Sequence, residues 1–408
     1  MKSKNAQIIF VNRFYAPDLS ATSQILTDVA ERLSASGLDV KIYTSRMSYD
    51  ARSSYPKTEV LNGVGVTRVW SSRFGRGSIL GRACDYVTFY LSITLTLMFA
   101  VQKGDVLIAK TDPPMLSIPL GLVARFKRAK LINWLQDVFP EVALNLGVGA
   151  QNGVFIKLLK TLRNRSLRRA HANVAIGERM AEALISFGVE TERIVIIHNF
   201  VDDDAISAKP EFSPTLRKEW GIGTDDFVIG YSGNLGRAHN LDTVLDAASE
   251  LTEHAAIKFL FIGGGFLHDQ LTEQIEARGL SNVILKPYQP RARLPETLAL
   301  PNLHWASLNP RLEGYIVPSK VYGVAAAGRP LLMIGDPDGE IGRRISEFDF
   351  GLCALPGDHH SVVEFILNQK ASPEHVADKG EKARIFLDQT ASRKGAIDAW
   401  KALIVCGS

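Results

Sequence analysis

Cysteine is scarce in this chain: Cys84, Cys353 and Cys406 are the three in 408 residues. Scattered and odd in number, they make neither a disulfide framework nor a metal-ligand spacing, so a reducing compartment is expected. Low-complexity tracts are absent, and 46% hydrophobic with 22% charged residues excludes a disordered chain. The first apolar run, Ile8 to Val11, is too short for a signal-peptide core and reads as a strand. Tyr86 to Val101 carries no charge, yet it falls short of the roughly 20 residues a bilayer span needs, and Ser and Thr interrupt it. A net charge of +4 is small, and the basic residues gather on one helix without interleaved aromatics, which argues against nucleic acid as a partner. No Gly-x-Gly-x-x-Gly follows the first strand, where "VNRFYAPDLSA" stands, so a dinucleotide-linked oxidoreductase is disfavoured. Ligand-spaced clusters of His, Cys, Asp and Glu are missing too, and the chemistry is expected to need no metal and no cofactor.

What the chain does have is a steady alternation of apolar strands and amphipathic helices. "AQIIFVN", "SATSQILTDVAERLSASG" and "DVKIYTS" make a βαβ opening, and the apolar runs "DVLIAK", "KLINWLQD" and "ANVAIG" continue it. The rhythm breaks after "ERIVIIHNFVDDDAI", at the proline-containing "AKPEFSP", then restarts with "FVIGYSGNLGRAHN", "IKFLFIGGG", "NVILKPY", "HWASLNP" and "RPLLMIG". The expected class is α/β, with two Rossmann-like parallel domains at residues 1–195 and 196–385 and a last helical segment at 386–408. Ligands in such sheets lie beyond the carboxyl ends of the strands, and in a two-domain chain those edges are expected to face an interdomain cleft.

The loops after the strands therefore carry the candidates. In "GYSGNLGRAHN", Gly233 and Gly236 bracket Asn234 and Leu235, and Arg237 follows just before a helix. Glycines let the backbone approach an anion, and the guanidinium adds a fork for phosphate, so this reads as a diphosphate cradle; a plain strand-to-helix turn is the alternative. Gly264, in "FIGGGF", is a weaker member, because close packing explains it as well. In "SLNPRLEGYIVPSKVYGVAAAGRP", Pro318 and Ser319 start a helix of small residues, Lys320 lies in its first turn, and Glu313 sits in the loop before it. A carboxylate for sugar hydroxyls beside a cation for phosphate is the arrangement expected for a nucleotide sugar. In the N-terminal half Asp18, Asp137 and Glu141 follow strands, and helix capping or a plain surface carboxylate explains each of them equally well.

These stretches resemble a family in their order and spacing: the retaining glycosyltransferases of the GT-B family 4. "FYAPDLSATSQILTDVAERLSASGLDVKIYTS", "WLQDVFPEVALNLG", "IIHNFVDDDAI", "GYSGNLGRAHNLDTVLDA" and "FLFIGGGF" carry the likeness over essentially the whole chain. "EGYIVPSKVYGVAAAGRP" with "GNLGRAH" is similar to the subgroup of fucosamine-transferase-like and colanic-acid-type enzymes that build bacterial surface polysaccharides, lipopolysaccharide and exopolysaccharide among them.

The resemblance implies an acceptor-side domain followed by a nucleotide-sugar-binding domain, with the last helix crossing back to the first. It implies transfer from a UDP- or GDP-sugar without a protein nucleophile, with Glu313, Arg237, Lys320 and Asp137 as catalytic candidates. Gly233, Asn234, Gly236, Gly264, Tyr288, Pro318, Ser319 and Glu340 would hold the donor, Tyr288 at the base, and Asp18 and Glu141 would face the acceptor. The pattern departs from the family at Gly323, where a ribose-binding glutamate is usual, and Glu340 is the substitute considered. A lipid-diphosphate-linked glycan is the implied acceptor. It would be reached from the cytoplasmic face of the membrane through the basic, amphipathic stretch Val154 to Ala170, and through Tyr86 to Val101. A non-hydrolysing nucleotide-sugar 2-epimerase and a non-catalytic sugar-nucleotide binding protein stay open at this level.

Overall fold

The computed structural model describes residues 6–18, 20–48, 54–75, 79–148, 153–206 and 214–406; of the junction stretch 208–214, residues 208–213 lie outside it. The chain divides into two compact units, Met1–His198 with Lys394–Ser408, and Asn199–Arg393. All the counts that follow are of the described residues.

The first unit is built on eight strands: β1 (Ile8–Val11), β2 (Val40–Ser45), β3 (Thr58–Leu61), β4 (Val64–Val69), β5 (Val106–Lys110), β6 (Lys130–Trp134), β7 (Ala172–Ala175) and β8 (Ile194–Ile196). They lie in the order β3-β4-β2-β1-β5-β6-β7-β8, and every pairing is parallel except β3 with β4. That hairpin was not read from the sequence, although "LNGV" carries its signal: Asn62 and Gly63 both take positive φ, 46° and 83°, as a two-residue turn of this hand requires. Helices α1 (Ala21–Ala35), α2 (Ile79–Ala100), α3 (Ser117–Lys127), α4 (Glu141–Asn145), α5 (Val154–Arg169) and α6 (Glu178–Ser186) join the strands. The central strands are apolar throughout because helices cover both sheet faces. Phe89, Ile93 and Leu97 of α2 and Leu120 and Val123 of α3 pack there on Ile9, Val11 and Leu107.

The second unit repeats the scheme with α7 (Pro214–Trp220), β9 (Phe227–Asn234), α8 (Asp242–Glu250), β10 (Ile257–Gly264), α9 (His268–Arg278), β11 (Val283–Lys286), α10 (Leu294–Ala299), β12 (Leu303–Ser307), α11 (Lys320–Ala326), β13 (Leu331–Ile334), α12 (Glu340–Phe348), β14 (Gly351–Ala354), α13 (His359–Ala371) and α14 (Pro373–Thr390). Its six strands are all parallel, in the order β11-β10-β9-β12-β13-β14. The chain reverses direction across each sheet at one place, between β1 and β5 in the first and between β9 and β12 in the second. Loops diverge at such a point and leave a crevice.

The last helix, α15 (Arg393–Cys406), belongs from Lys394 onward to the first unit. Its Trp400 is fully buried and meets Trp134 edge-on at 4.7 Å and Phe10 at 6.0 Å between ring centroids. The small residues of α11 have a structural reason as well. Val321, Tyr322, Val324, Ala325 and Ala326 are all buried, and α14 passes so close to the helix end that a Cβ on Gly380 would lie 2.1 Å from the Gly328 carbonyl oxygen. A backbone atom cannot step aside as a side chain can. Gly380→Ala is therefore expected to cost about 1–3 kcal/mol through overpacking, read as a lowered Tm in thermal unfolding; an unchanged Tm would show that α14 is free to move.

Candidate active site

At the switch point of the second unit, two backbones come together more closely than side chains allow. A Cβ on Gly263 would lie 2.2 Å from the Gly233 carbonyl oxygen, and one on Gly265 would lie 2.6 Å from Asn234 Oδ1; Gly233, Gly263 and Gly265 all have φ near +134°. Only glycine takes these positions without strain. The loop after β9 is then tied down on both sides. Leu235 N–H donates to the Gly264 carbonyl at 2.7 Å, and Asn309 N–H, from the loop after β12, donates to the Ala238 carbonyl at 2.9 Å.

Lys320 points into this junction. Its Nζ donates to the Tyr231 hydroxyl, to His239 Nε2 at 3.3 Å and to the Asn234 carbonyl at 3.4 Å. His239 Nδ1 lies 2.9 Å from the Ser307 carbonyl, which can only accept, so the ring proton sits on Nδ1 and Nε2 offers its lone pair to the lysine. Burial drives the Lys320 pKa down to about 7. Burial, with the Lys320 charge behind it, drives His239 down to about 3 and keeps it neutral. Arg237 is exposed, its guanidinium 3.7 Å from the centre of the Phe266 ring. Tyr288 lies over Gly263 and Gly264, its hydroxyl 3.1 Å from the Gly264 carbonyl and 3.3 Å from Asn234 Oδ1. Gly233, Asn234, Gly236, Arg237, Gly264, Tyr288 and Lys320 thus form one neighbourhood, with Ser319 exposed at the entry to α11 and Pro318 preceding it. His239, Tyr231 and Phe266 were not singled out in sequence, since a strand tyrosine and loop residues carry no periodic signal.

Glu313 sits further along the loop after β12, held by a different helix. Its Oε2 accepts the backbone N–H of Glu340, the first residue of α12, at 3.1 Å. The carboxylate lies so close to Gly339 that a Cβ there would come within 2.4 Å of Oε1. The adjacent Cys353 thiol is pushed up to about 12 by burial and then by the Glu313 and Asp336 carboxylates, and it stays neutral. Glu340 is itself buried at the start of α12. Gly323 is half-buried, and a Cβ there would meet Leu298 Cδ1 at 3.6 Å.

The first unit gathers a second set of charges at its own strand ends. Lys110 closes β5 at 2% exposure, with Nζ donating to the Thr22 carbonyl at 2.8 Å and lying 3.8 Å from the Trp134 ring centre. Burial holds its pKa well below the ordinary lysine value. Asp137, after β6, is raised to about 6, first by burial and then by the Asp112 charge, against a hydrogen bond with Thr111. Asp137 Oδ1 and the buried Asn133 Oδ1 have no protein partner, and both residues border a cavity of about 30 Å³ with Thr111 and Arg163. Asp18 is buried in the loop after β1, its Oδ1 accepting from Ser20 N–H at 2.9 Å. Glu141 is buried too, in a 2.7 Å ion pair with Arg163 that ties α4 to α5. Asp18 and Glu141 are thus bound into local structure, Glu141 through Oε1 alone; Asp137 Oδ1 and Glu141 Oε2 are both left unmatched, and only Glu141 has a paired cation.

Helices α2, α3 and α5 form a layer on this unit, α3 touching both others, and Ser166 Oγ of α5 donates to the Ser117 carbonyl of α3 at 3.0 Å. Their outward faces are apolar: Val87, Leu91, Leu95 and Phe99 on α2, Leu122 and Phe126 on α3, and Val154, Phe155, Leu158 and Leu162 on α5. On α5 it is Arg163 and Leu167 that face inward. By length and composition Leu80–Ala100 could cross a membrane, yet its inner face is core. Its one acid, Asp85, is buried, accepting from Ser72 Oγ and from the N–H groups of Phe74 and Gly75.

Comparison with known proteins agrees with this layout. Residues 21–199 match the glycosyl transferase 4-like domain model, and residues 212–309 match the model for glycosyl transferases group 1. WcaI of Escherichia coli (strain K12), named for glycosyl transfer in colanic acid biosynthesis, is 24% identical over 92% of this chain and 95% of its own. WbjE of Pseudomonas aeruginosa, named as a glycosyltransferase, is 28% identical over 70% of each. The crystal structure of Anabaena HepE in complex with UDP superposes with a TM-score of 0.72 at 15% identity, covering 98% of this chain and 100% of that one.

The Asp137 environment has a measurable consequence. Because its folded pKa of about 6 lies above the unfolded value of 3.8, the native state binds the proton more tightly, and stability from this group falls as pH rises through that window. Asp137→Asn is expected to be more stable than the parent at pH 8, by on the order of 2 kcal/mol, and to lose the advantage below about pH 4. Chemical denaturation at the two pH values checks it, and a less stable variant at pH 8 would refute the assignment.

Proposed function

Since the chain belongs to the GT-B glycosyltransferases of the family-4 type, its two parts matching the two glycosyl transferase models, we propose that it moves a sugar from a nucleoside diphosphate donor to a lipid-linked glycan, with retention at the anomeric carbon, in surface-polysaccharide assembly. The observation that carries the donor assignment is the convergence of the Lys320 amine with the glycine-walled turn after β9 at the switch point of the second unit. A pyrophosphate suits that place: backbone can approach it, and Lys320 and Arg237 supply cations. HepE is described in complex with UDP, and with UDP and glucose, on the same fold. The name of WcaI supports surface polysaccharide as the product class.

In this reading the acceptor oxygen bonds to C1 as the C1–O bond to the diphosphate breaks on the same face of the sugar. The acceptor's proton passes to the departing phosphate oxygen. Lys320 and Arg237 take up the charge that develops there, Glu313 orients the sugar hydroxyls, and Asp137 faces the acceptor. Glu340 acts by offering Glu313 its backbone N–H. Arg237→Ala and Glu313→Ala should each lower turnover at least about tenfold with the fold intact. Gly339→Ala should do the same by displacing the Glu313 carboxylate. Near-parental turnover in any of them removes that group from the site, and an inverted anomeric centre in the product, read by NMR, would overturn the retaining assignment.

The α2, α3 and α5 layer supports a place at the inner surface of the membrane. Among the described residues it shows no exposed acid, while Arg82, Arg125, Lys157, Arg165, Arg168 and Arg169 are exposed on it. Apolar side chains ringed by cations suit an anionic bilayer, where each cation contributes about 1 kcal/mol. The chain should sediment with anionic vesicles at low salt, and Phe126→Glu with Leu158→Glu should lower the bound fraction about tenfold without changing hydrolysis of the free donor. No sedimentation of the parent chain would sink this placement.

A further inference from the structure

We propose that His239 positions the Lys320 amine for the donor, and that Lys320 takes up a proton as the diphosphate binds, so that donor affinity is set by pH. The inference rests on the reading above that a nucleoside diphosphate occupies the turn after β9.

Everything that faces the Lys320 amine is a neutral acceptor. From β9 come the Tyr231 hydroxyl and the Asn234 carbonyl; from the loop before α8 comes His239 Nε2; among the described residues no carboxylate contacts Nζ. Tyr231 stays protonated, since burial raises it further above its ordinary value. Arg237, the nearest other cation of the loop, is engaged with the Phe266 ring. The amine is also confined: a Cβ on Gly233 would touch Lys320 Cε at 3.3 Å, so the lysine stem lies against bare backbone.

His239 makes a poor second cation, because burial and the Lys320 charge hold it neutral. Its Nδ1–H is committed to the Ser307 carbonyl, and Ser307 Oγ accepts from the N–H of Asn240, which locks the loop that carries the ring. Nε2 therefore stays an acceptor. It holds the amine while adding no charge to offset it.

A half-buried ammonium without a counter-ion is disfavoured, in keeping with the depressed value of about 7. A diphosphate arriving beside it supplies the missing negative charge and restores the protonated form. The sign follows by linkage: the complex holds more protons than the free protein above about pH 7, so affinity falls as pH rises, by up to about tenfold per pH unit. An arginine at the same position would be charged at every pH and would show no such dependence.

The test is calorimetric titration of the full chain with UDP and with GDP at pH 8, in buffers of different ionisation enthalpy. For the nucleotide that binds, the parent chain is expected to take up about one proton per site. Lys320→Arg should bind without that uptake. His239→Phe should bind about tenfold more weakly, with the pH midpoint of affinity moved down because the ammonium loses an acceptor; His239→Gln, whose carbonyl oxygen can replace Nε2, should restore both. Binding of the parent chain with no proton uptake and a flat pH profile would overturn the inference and leave the donor site standing. Parental affinity in Lys320→Met would overturn the donor reading and the inference with it. A parental pH midpoint in His239→Phe would remove the positioning role.

Discussion

The close backbone contact between the ends of β9 and β10 is the constraint on which the candidate site depends. Gly263 and Gly265 bring a second chain segment against the Gly233 carbonyl and the Asn234 side chain, at distances no Cβ could tolerate. The turn after β9 is thereby held from one side by β10 and from the other by the loop after β12, with Asn309 bonded to Ala238. Only because that turn is fixed do the Asn234 carbonyl and His239 Nε2 present lone pairs to one lysine amine. Preorganised groups of this sort do not have to move when charge develops on a bound phosphate.

Both units keep incompletely compensated polar groups at the carboxyl ends of their strands. In the second unit it is the Lys320 amine among neutral acceptors; in the first it is Asp137 with an unmatched oxygen, and Lys110 on the face of Trp134. Such placements destabilise a fold, and they concentrate where chemistry is done. Glu141 with Arg163 shows the contrasting case: a buried carboxylate with its cation at 2.7 Å, whose evident work is to join two helices. The difference between the two carboxylates lies in the paired cation, since each keeps one unmatched oxygen, and it separates Asp137 from Glu141 more sharply than their positions in the chain do.

The helical layer of the first unit inverts the usual arrangement of an amphipathic helix. On α5 the apolar residues Val154, Phe155, Leu158 and Leu162 face out while Arg163 faces in, held by Glu141. On α2 two apolar faces coexist, one in the core and one exposed. A core-facing helix needs only one such stripe, so the outer stripes call for a second apolar surface.

Sequence by itself determined the two parallel α/β sheets, because uniformly apolar strands separated by amphipathic helices have few other ways to bury their surfaces. It also located the loops that carry the candidates, since glycine pairs and prolines mark strand ends through backbone geometry alone. It did not mark the β3–β4 pairing, although Asn62-Gly63 is a local signal that could have been read. Tertiary structure decided the rest. The Ala325–Ala327 stretch could have served a ligand or a neighbour, and only the passage of α14 at Gly380 shows that it serves a neighbour. The face α5 turns outward was undecidable from periodicity, which gives the angle between two faces but not which one meets the core. Lys320 read as a first-turn cation, and the burial that depresses its pKa is set by the tertiary fold, which brings Tyr231, Asn234 and His239, 81 to 89 residues away in the chain, against its amine. Charge state depends on what surrounds a group in space, and no pattern local to the chain encodes that.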